Sequence, residues 1–340
     1  MNDDNISDER KTEPLYRNIS ERHHGGLLRA KYHGLEAVDA KSVAMALIRR
    51  GDFKLLLEFN LSRLAVTRGG EHRSLRWDEG AWDWFFDAPD FDWKIPKQLD
   101  RQPMLFFHDV ELFCLDVFLS FALFGMFGRF LRPPTIPEAR KAYVFFYLHD
   151  IKKESVAERM TNCIRSAITD DKRKKAFSSR SMRKGSSTEL AVHSDVTTEE
   201  RYCRGGWTGS NHLPNAEGYV EATPSLNAPG GLALAGYEHC HEHAYPSHLG
   251  SVGPSVSEDM MGRFLDTFFP NDIPQLDVGG KLRPLIQGAA AAMLRHYKAL
   301  VSELGFENVF VKKSMSWQGK SKLKMTLSRG AEMCRSTSPF

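Results

Sequence analysis

Between Val43 and Leu64 the apolar residues recur at close to every 3.6 positions, and this constrains the chain more than any other feature. Val43, Ala46, Leu47, Phe53, Leu56, Leu57, Phe59, Leu61 and Leu64 mark one face of helix, which must be buried against other elements. Arg68-Gly69-Gly70-Glu71 then breaks the pattern, and Leu75 and Trp77 resume an apolar face. Next, Trp82, Trp84, Phe86, Phe91 and Trp93 alternate with acids, as in strands, and Ala88-Pro89-Asp90 reads as a turn between two runs. Met104 to Phe107 is a further short apolar run. Helices are expected over 112–130, 137–148 (proline in the first turn), 182–192, 197–204 and 285–304. Residues 152–175 are strongly charged, and the Gly- and Pro-rich stretch 224–254 reads as loop and boundary. The fold class expected is mainly α with a small antiparallel β-sheet.

Composition excludes several classes of protein. With 41% apolar and 26% charged residues in 340, the chain has the make-up of a globular protein, neither fibrous nor disordered. A net charge of +3 admits a nucleic-acid partner without demanding one. Five scattered cysteines with no C-x-x-C pair suggest neither a zinc ribbon nor a disulfide framework. The first 22 residues are polar, so no secretory signal is expected. The apolar stretch 112–131 carries Asp116 and Arg129, which leaves it too short to cross a bilayer and reads as a core helix. No Walker A sequence or G-x-G-x-x-G appears, so no nucleotide cofactor is expected. His239-Cys240-His241-Glu242-His243, followed by His248, is dense in metal-ligand side chains. Alternate positions of one loop cannot all reach a single ion, so a surface histidine loop is the plainer reading and a metal-binding module on 239–248 the alternative. Lys312 to Arg335 holds seven Lys or Arg and one acid, a basic tail suited to non-specific phosphate contact.

Breaking a DNA strand without metal or ATP needs a definite set of parts. Two guanidinium forks hold the non-bridging phosphate oxygens and stabilise charge that grows on them. A tyrosine attacks phosphorus and stores the bond as a phosphotyrosine ester, and a lysine gives the departing 5′-hydroxyl its proton. Arg68-Gly69-Gly70-Glu71-His72-Arg73-Ser74-Leu75-Arg76-Trp77 resembles the first arginine box of the tyrosine recombinase (phage-integrase-like) family, R-x-x-E-L-x-x-L-x-W. Arg180-Ser181-Met182-Arg183-Lys184-Gly185 resembles its second box, H-x-x-R-x-G. Gly206-Trp207 and Tyr219 follow in the order of the family's Gly-Trp and nucleophile, and the two arginines are 115 positions apart, a family-like spacing.

The resemblance spans about residues 43 to 225 and implies a tyrosine recombinase catalytic-domain fold over 41–250. A polar tail (1–40) would precede it and a helical extension with a basic tail (251–340) would follow. It implies Tyr219 as nucleophile, Arg68 and Arg183 as phosphate clamps, Trp207 beside the phosphate and Arg180 at the family's histidine position. Lys97 would be the proton donor on a hairpin, with Lys94 in reserve. Implied partners are duplex DNA and further copies of the chain, without metal, nucleotide or membrane. The function implied is site-specific recombination of a mobile element, most like Crypton elements, in a nucleus if the host is eukaryotic and otherwise in the cytoplasm. Three departures bear on activity. Position 180 is arginine rather than histidine. The Trp207–Tyr219 gap is slightly long, which brings in Tyr237 as an alternative nucleophile. Forty leading residues are too few for the family's N-terminal core-binding domain. A catalytically silent DNA-binding remnant of the same fold is therefore an alternative.

Overall fold

Gly51 and Asp52 divide the long helical pattern into two helices. In the computed structural model α1 (Ala37–Arg50) ends at Gly51, whose left-handed φ of 70° lets its N–H return to Ile48. Asp52 then caps α2 (Phe53–Leu64), its Oδ1 accepting the Leu55 N–H at 3.2 Å. The structure describes residues 33–94, 101–109, 111–125, 143–148, 151–206, 223–241, 283–305, 307–308 and 311. Among these the chain is mainly helical with one three-stranded antiparallel sheet in the order β1-β2-β3 (β1 Gly80–Asp83, β2 Ala88–Lys94, β3 Arg101–Leu105), as expected.

The remaining helices are α3 (Val117–Leu123), α4 (Lys153–Ala167), α5 (Asp171–Ala176), α6 (Ser179–Val192), α7 (Thr198–Gly205), α8 (Pro224–Leu234) and α9 (Arg283–Leu304). Helix α2 lies at the centre, buried along nearly its whole length, so its polar side chains must find partners inside. Asn60 donates to Cys114 O and Ser120 Oγ at 3.0 and 2.8 Å, tying α2 to α3. Arg63 donates to Leu234 O at 2.9 Å and pairs with both oxygens of Glu189, tying it to α8 and α6. Helix α9 packs on α3, and His108 Nδ1 and His296 Nε2 both lie 2.9 Å from Asp116 Oδ2.

Several expectations are corrected. The hairpin turns at Trp84–Asp87, not at Ala88-Pro89-Asp90; Pro89 pairs with Trp82 inside the ladder, and its carbonyl accepts the Phe106 N–H. The expected helix over 112–130 starts only at Val117, because Asp116 caps it by accepting the N–H groups of Phe118 and Leu119. In the expected helix over 137–148, Tyr143 instead bridges Arg76 and a short 3-10 turn covers Phe146–Leu148; its other residues lie outside the described set. The stretch expected as loop from Pro224 forms the buried helix α8 despite Pro229, Gly230 and Gly231. There the glycines give close approach: a Cβ at Gly230 would sit 3.0 Å from the Arg204 side chain, and one at Gly231 3.0 Å from the Phe107 ring. No described helix is long and apolar enough to cross a membrane.

Candidate functional site

The turn after α2 is built for contact with two other helices. Gly70 has φ 82°, a left-handed conformation that favours glycine. A Cβ there would meet the Lys153 carbonyl at 2.9 Å, and one on Gly69 would meet Ser179 Oγ at 2.5 Å. The two glycines thus admit the first turns of α4 and α6 against the backbone beside Arg68. Helix α6 carries Arg180 and Arg183, and its start is fixed by a capping box between Ser178 and Ser181.

Glu71, 1% exposed, is the centre of this arrangement. Its Oε2 accepts the backbone N–H of Arg68 at 2.6 Å. Its Oε1 lies 3.4 Å from Lys153 Nζ and 3.9 Å from Arg68 Nη1. Arg183 donates from Nη2 to Gly205 O at 2.9 Å, which orients it from the end of α7. Burial lowers the Arg183 guanidinium below its ordinary value, the Arg68 charge lowers it further, and Glu71 opposes both. The two arginines therefore sense one another across the 115 intervening positions. Arg68, Lys153 and Arg183 gather around a single buried carboxylate, which leaves an excess of positive charge beside a partly open surface: the Arg68 side chain is 44% exposed and that of Lys153 30%. Such a cluster attracts an oxyanion and, by its two forks, suits phosphate. Arg180, in the first turn of α6, is exposed.

A second, fully buried network holds the turn in place. His72 Nδ1 lies 2.9 Å from Ser62 Oγ and its Nε2 lies 3.1 Å from Glu58 Oε2. Glu58 also accepts from Tyr147 Oη at 2.7 Å and from Arg159. Burial would raise the Glu58 carboxyl, but His72 and Arg159 hold it below the usual carboxylate range. A serine, a histidine and a glutamate in series suggest nucleophilic catalysis, yet Ser62, His72 and Glu58 are all sealed from solvent. Their role is to pin the Glu71–Ser74 turn to α2 and α4.

Of the residues singled out in the sequence, Arg68 and Arg183 are brought together, and Glu71 supports the first arginine's turn. Lys97, Trp207 and Tyr219 lie outside the described residues, as does the side chain of Lys94, which closes β2. The Tyr237 hydroxyl is buried, without a hydrogen-bond partner among the described residues, and its ionisation is raised by burial and modulated by Arg295, Asp116 and Asp109 rather than by the arginine cluster. That environment does not suit a nucleophile. His239 lies 3.7 Å from Asp195 Oδ2, and His241 lies 2.7 Å from the Asp195 carbonyl; no group among the described residues could hold a metal ion. His243 and His248 lie outside them.

Sequence reasoning missed Lys153 and the reason for Gly185. The paired glycines signal that something approaches closely, but nothing local names α4 as the neighbour. A Cβ on Gly185 would fall 2.0 Å from Leu35 O, so the extended segment ahead of α1 lies directly on α6. No known protein family, curated protein or solved structure matches the chain.

Proposed function

We propose that this chain acts on duplex DNA through the Arg68–Arg183 cluster, as a strand transferase of the tyrosine recombinase type. The observation that supports this is the shared site of two guanidinium groups from separate arginine boxes, with a buried glutamate anchoring the first. On this reading Arg68 and Arg183 bind the non-bridging oxygens of the scissile phosphate and stabilise the charge that develops there. Tyr219 attacks phosphorus, the 5′-oxygen leaves with a proton from Lys97, and the resulting 3′-phosphotyrosine is resolved when a 5′-hydroxyl attacks it in turn. Trp207, next to the Gly205 carbonyl that orients Arg183, packs beside the phosphate.

A nicked suicide duplex tests the reading. Loss of its short 5′-hydroxyl fragment traps the ester, so a covalent protein–DNA adduct survives denaturation. Tyr219→Phe removes the adduct and leaves salt-sensitive binding intact. Arg183→Ala weakens both and lowers the slope of log affinity against log salt by about 1. Binding without any adduct would identify a silent DNA-binding remnant of the same fold. No binding to any duplex at low salt refutes the proposal in both forms.

A further inference from the structure

The tip of the β1–β2 hairpin places two large aromatic side chains in water. Trp84 and Phe85 are each 74% exposed and adjacent in sequence. The tip is nevertheless well organised. Asp83 Oδ1 accepts the N–H groups of Phe85 and Phe86 at 2.9 and 3.1 Å, and Trp82 Nε1 donates to Asp87 Oδ1 at 3.2 Å. Asp87 itself takes φ 47°, a left-handed conformation that few residues other than glycine adopt. The Trp84 ring stands edge-on to Trp82 at 6.4 Å, and Phe85 edge-on to Phe86 at 4.8 Å. The surroundings are acidic: Asp83 and Asp87 flank the tip, and Asp90 and Asp92 follow along β2. Burial, with the charges of Asp83 and Asp92 added, pushes the Asp90 carboxyl up to about 6. A nucleic acid backbone would be repelled here, so the tip suits an apolar surface framed by cations.

The same chain carries such a surface. A groove of about 710 Å³ runs between residues 33–37, α5 and α6. Ala176, Phe177 and Val192 line its apolar part, and Lys172, Arg173 and Lys184 its basic part. Two carboxylates, Glu36 and Glu189, also line it, but Glu189 is already committed to Arg63. Val192 is 79% exposed, so this apolar wall faces solvent. The volume falls within the range of roughly 300–1,000 Å³ that holds ligands the size of one or two aromatic side chains. Since Trp84 and Phe85 are exposed, a chain's own tip is not seated in its own groove.

We propose that the Trp84–Phe85 tip of one copy docks into the α5–α6 groove of a second copy. The aromatic rings would cover Phe177 and Val192, and the acids around the tip would face Lys172, Arg173 and Lys184. The two surfaces differ, so the contact is head-to-tail and each copy keeps one free tip and one free groove, which builds a ring or an open chain. This inference does not depend on the DNA reading.

Two variants, mixed, test it. Trp84→Ser/Phe85→Ser removes the tip, and Lys172→Glu/Val192→Asp spoils the groove; every altered side chain is exposed, so melting temperatures should stay at the wild-type value. Sedimentation velocity from about 1 to 100 μM should show wild-type chains growing beyond dimers, and each variant alone should associate at least about 30-fold more weakly. An equimolar mixture should form one species that stops at the dimer, because one intact tip and one intact groove remain. A wild-type chain that stays monomeric, a tip variant that assembles like wild type, or a mixture with no heterodimer overturns the proposal.

Discussion

Gly185→Ala sets two opposed effects against each other, and the structure decides the sign. Gly185 sits inside α6, where alanine should gain about 1 kcal/mol from helix propensity. The added Cβ would lie 2.0 Å from Leu35 O and 2.7 Å from Leu35 N, against an optimum of about 3.5–4.0 Å for non-bonded heavy atoms. Both partners are backbone, so no side chain can rotate away. Relief requires the 33–36 segment to lift off α6. That breaks the hydrogen bonds Leu35 N–H to Ser181 O at 2.8 Å and His33 N–H to Ala176 O at 2.9 Å, at about 1 kcal/mol each. It also exposes Leu35, now 3% exposed, at about 2 kcal/mol. The net loss is about 3 kcal/mol, or roughly 6–12 °C in melting temperature for a domain of this size. Urea and thermal melts measure it, with Thr188→Ala on the exposed side of α6 as a control near zero. An alanine variant as stable as wild type, or more stable, would show that α6 and the 33–36 segment do not meet as described.

Two further substitutions probe the buried polar groups. Glu58→Gln leaves Arg159 and Tyr147 without their carboxylate and should cost about 2–3 kcal/mol in urea melts, less than the full price of breaking a buried pair because the Arg159 side chain is 39% exposed; an unchanged midpoint would remove Glu58 from the support of the Glu71 turn. Asp109→Asn tests a pH effect: burial pushes the Asp109 carboxyl up to about 7, so the folded chain keeps its proton while the unfolded chain loses it above 3.8, and wild-type stability falls between about pH 4 and 7. The amide oxygen can keep the bonds from the Glu111 and Leu112 N–H groups, so the variant should match wild type near pH 4 and exceed it at pH 8 by up to about 4 kcal/mol, whereas equal differences at both pH values would contradict the raised carboxyl.

Periodicity made α1, α2, α6, α7 and α9 legible, because amphipathic helices with capping residues write their pattern locally. The hairpin turn was misplaced for a local reason too. Pro89 looks like a breaker, but its missing N–H costs nothing at a ladder position that asks only for its carbonyl. Helix α8 was illegible because its glycines serve Arg204 and Phe107, which approach from distant parts of the chain. Arg204 is fully buried and reaches Leu64 O at 2.8 Å and Leu105 O at 2.7 Å, contacts that no sequence window contains. The candidate site was half legible. Arg68 and Arg183 announce themselves by the turn and the helix start around them, whereas Lys153 sits in a run of charges that reads as a solvated face.

Glu71→Gln separates two things a buried glutamate does for a phosphate site. By charge alone, losing the carboxylate raises the net charge of the Arg68–Lys153–Arg183 cluster by one and should strengthen ground-state attraction for duplex DNA at low salt by a few-fold. By position, Glu71 orders the turn through the Arg68 N–H at 2.6 Å and holds Lys153 Nζ at 3.4 Å; glutamine keeps an acceptor for the first and offers a weaker hold on the second. The proposed chemistry asks for more than attraction. Charge on the phosphate oxygens increases as the nucleophile adds, and only donors already fixed on those oxygens lower that barrier without reorganising. The expected result is therefore a split: duplex affinity equal to wild type or higher, with adduct formation on the nicked duplex slower by at least about 10-fold. Affinity and adduct rate falling together would mean that Glu71 serves only to keep the turn folded, and its melting curve would show the loss. An adduct rate that rises with affinity would mean that field strength, not the placement of Arg68, limits the reaction, and the role given to the Gly69-Gly70 turn would fail with it.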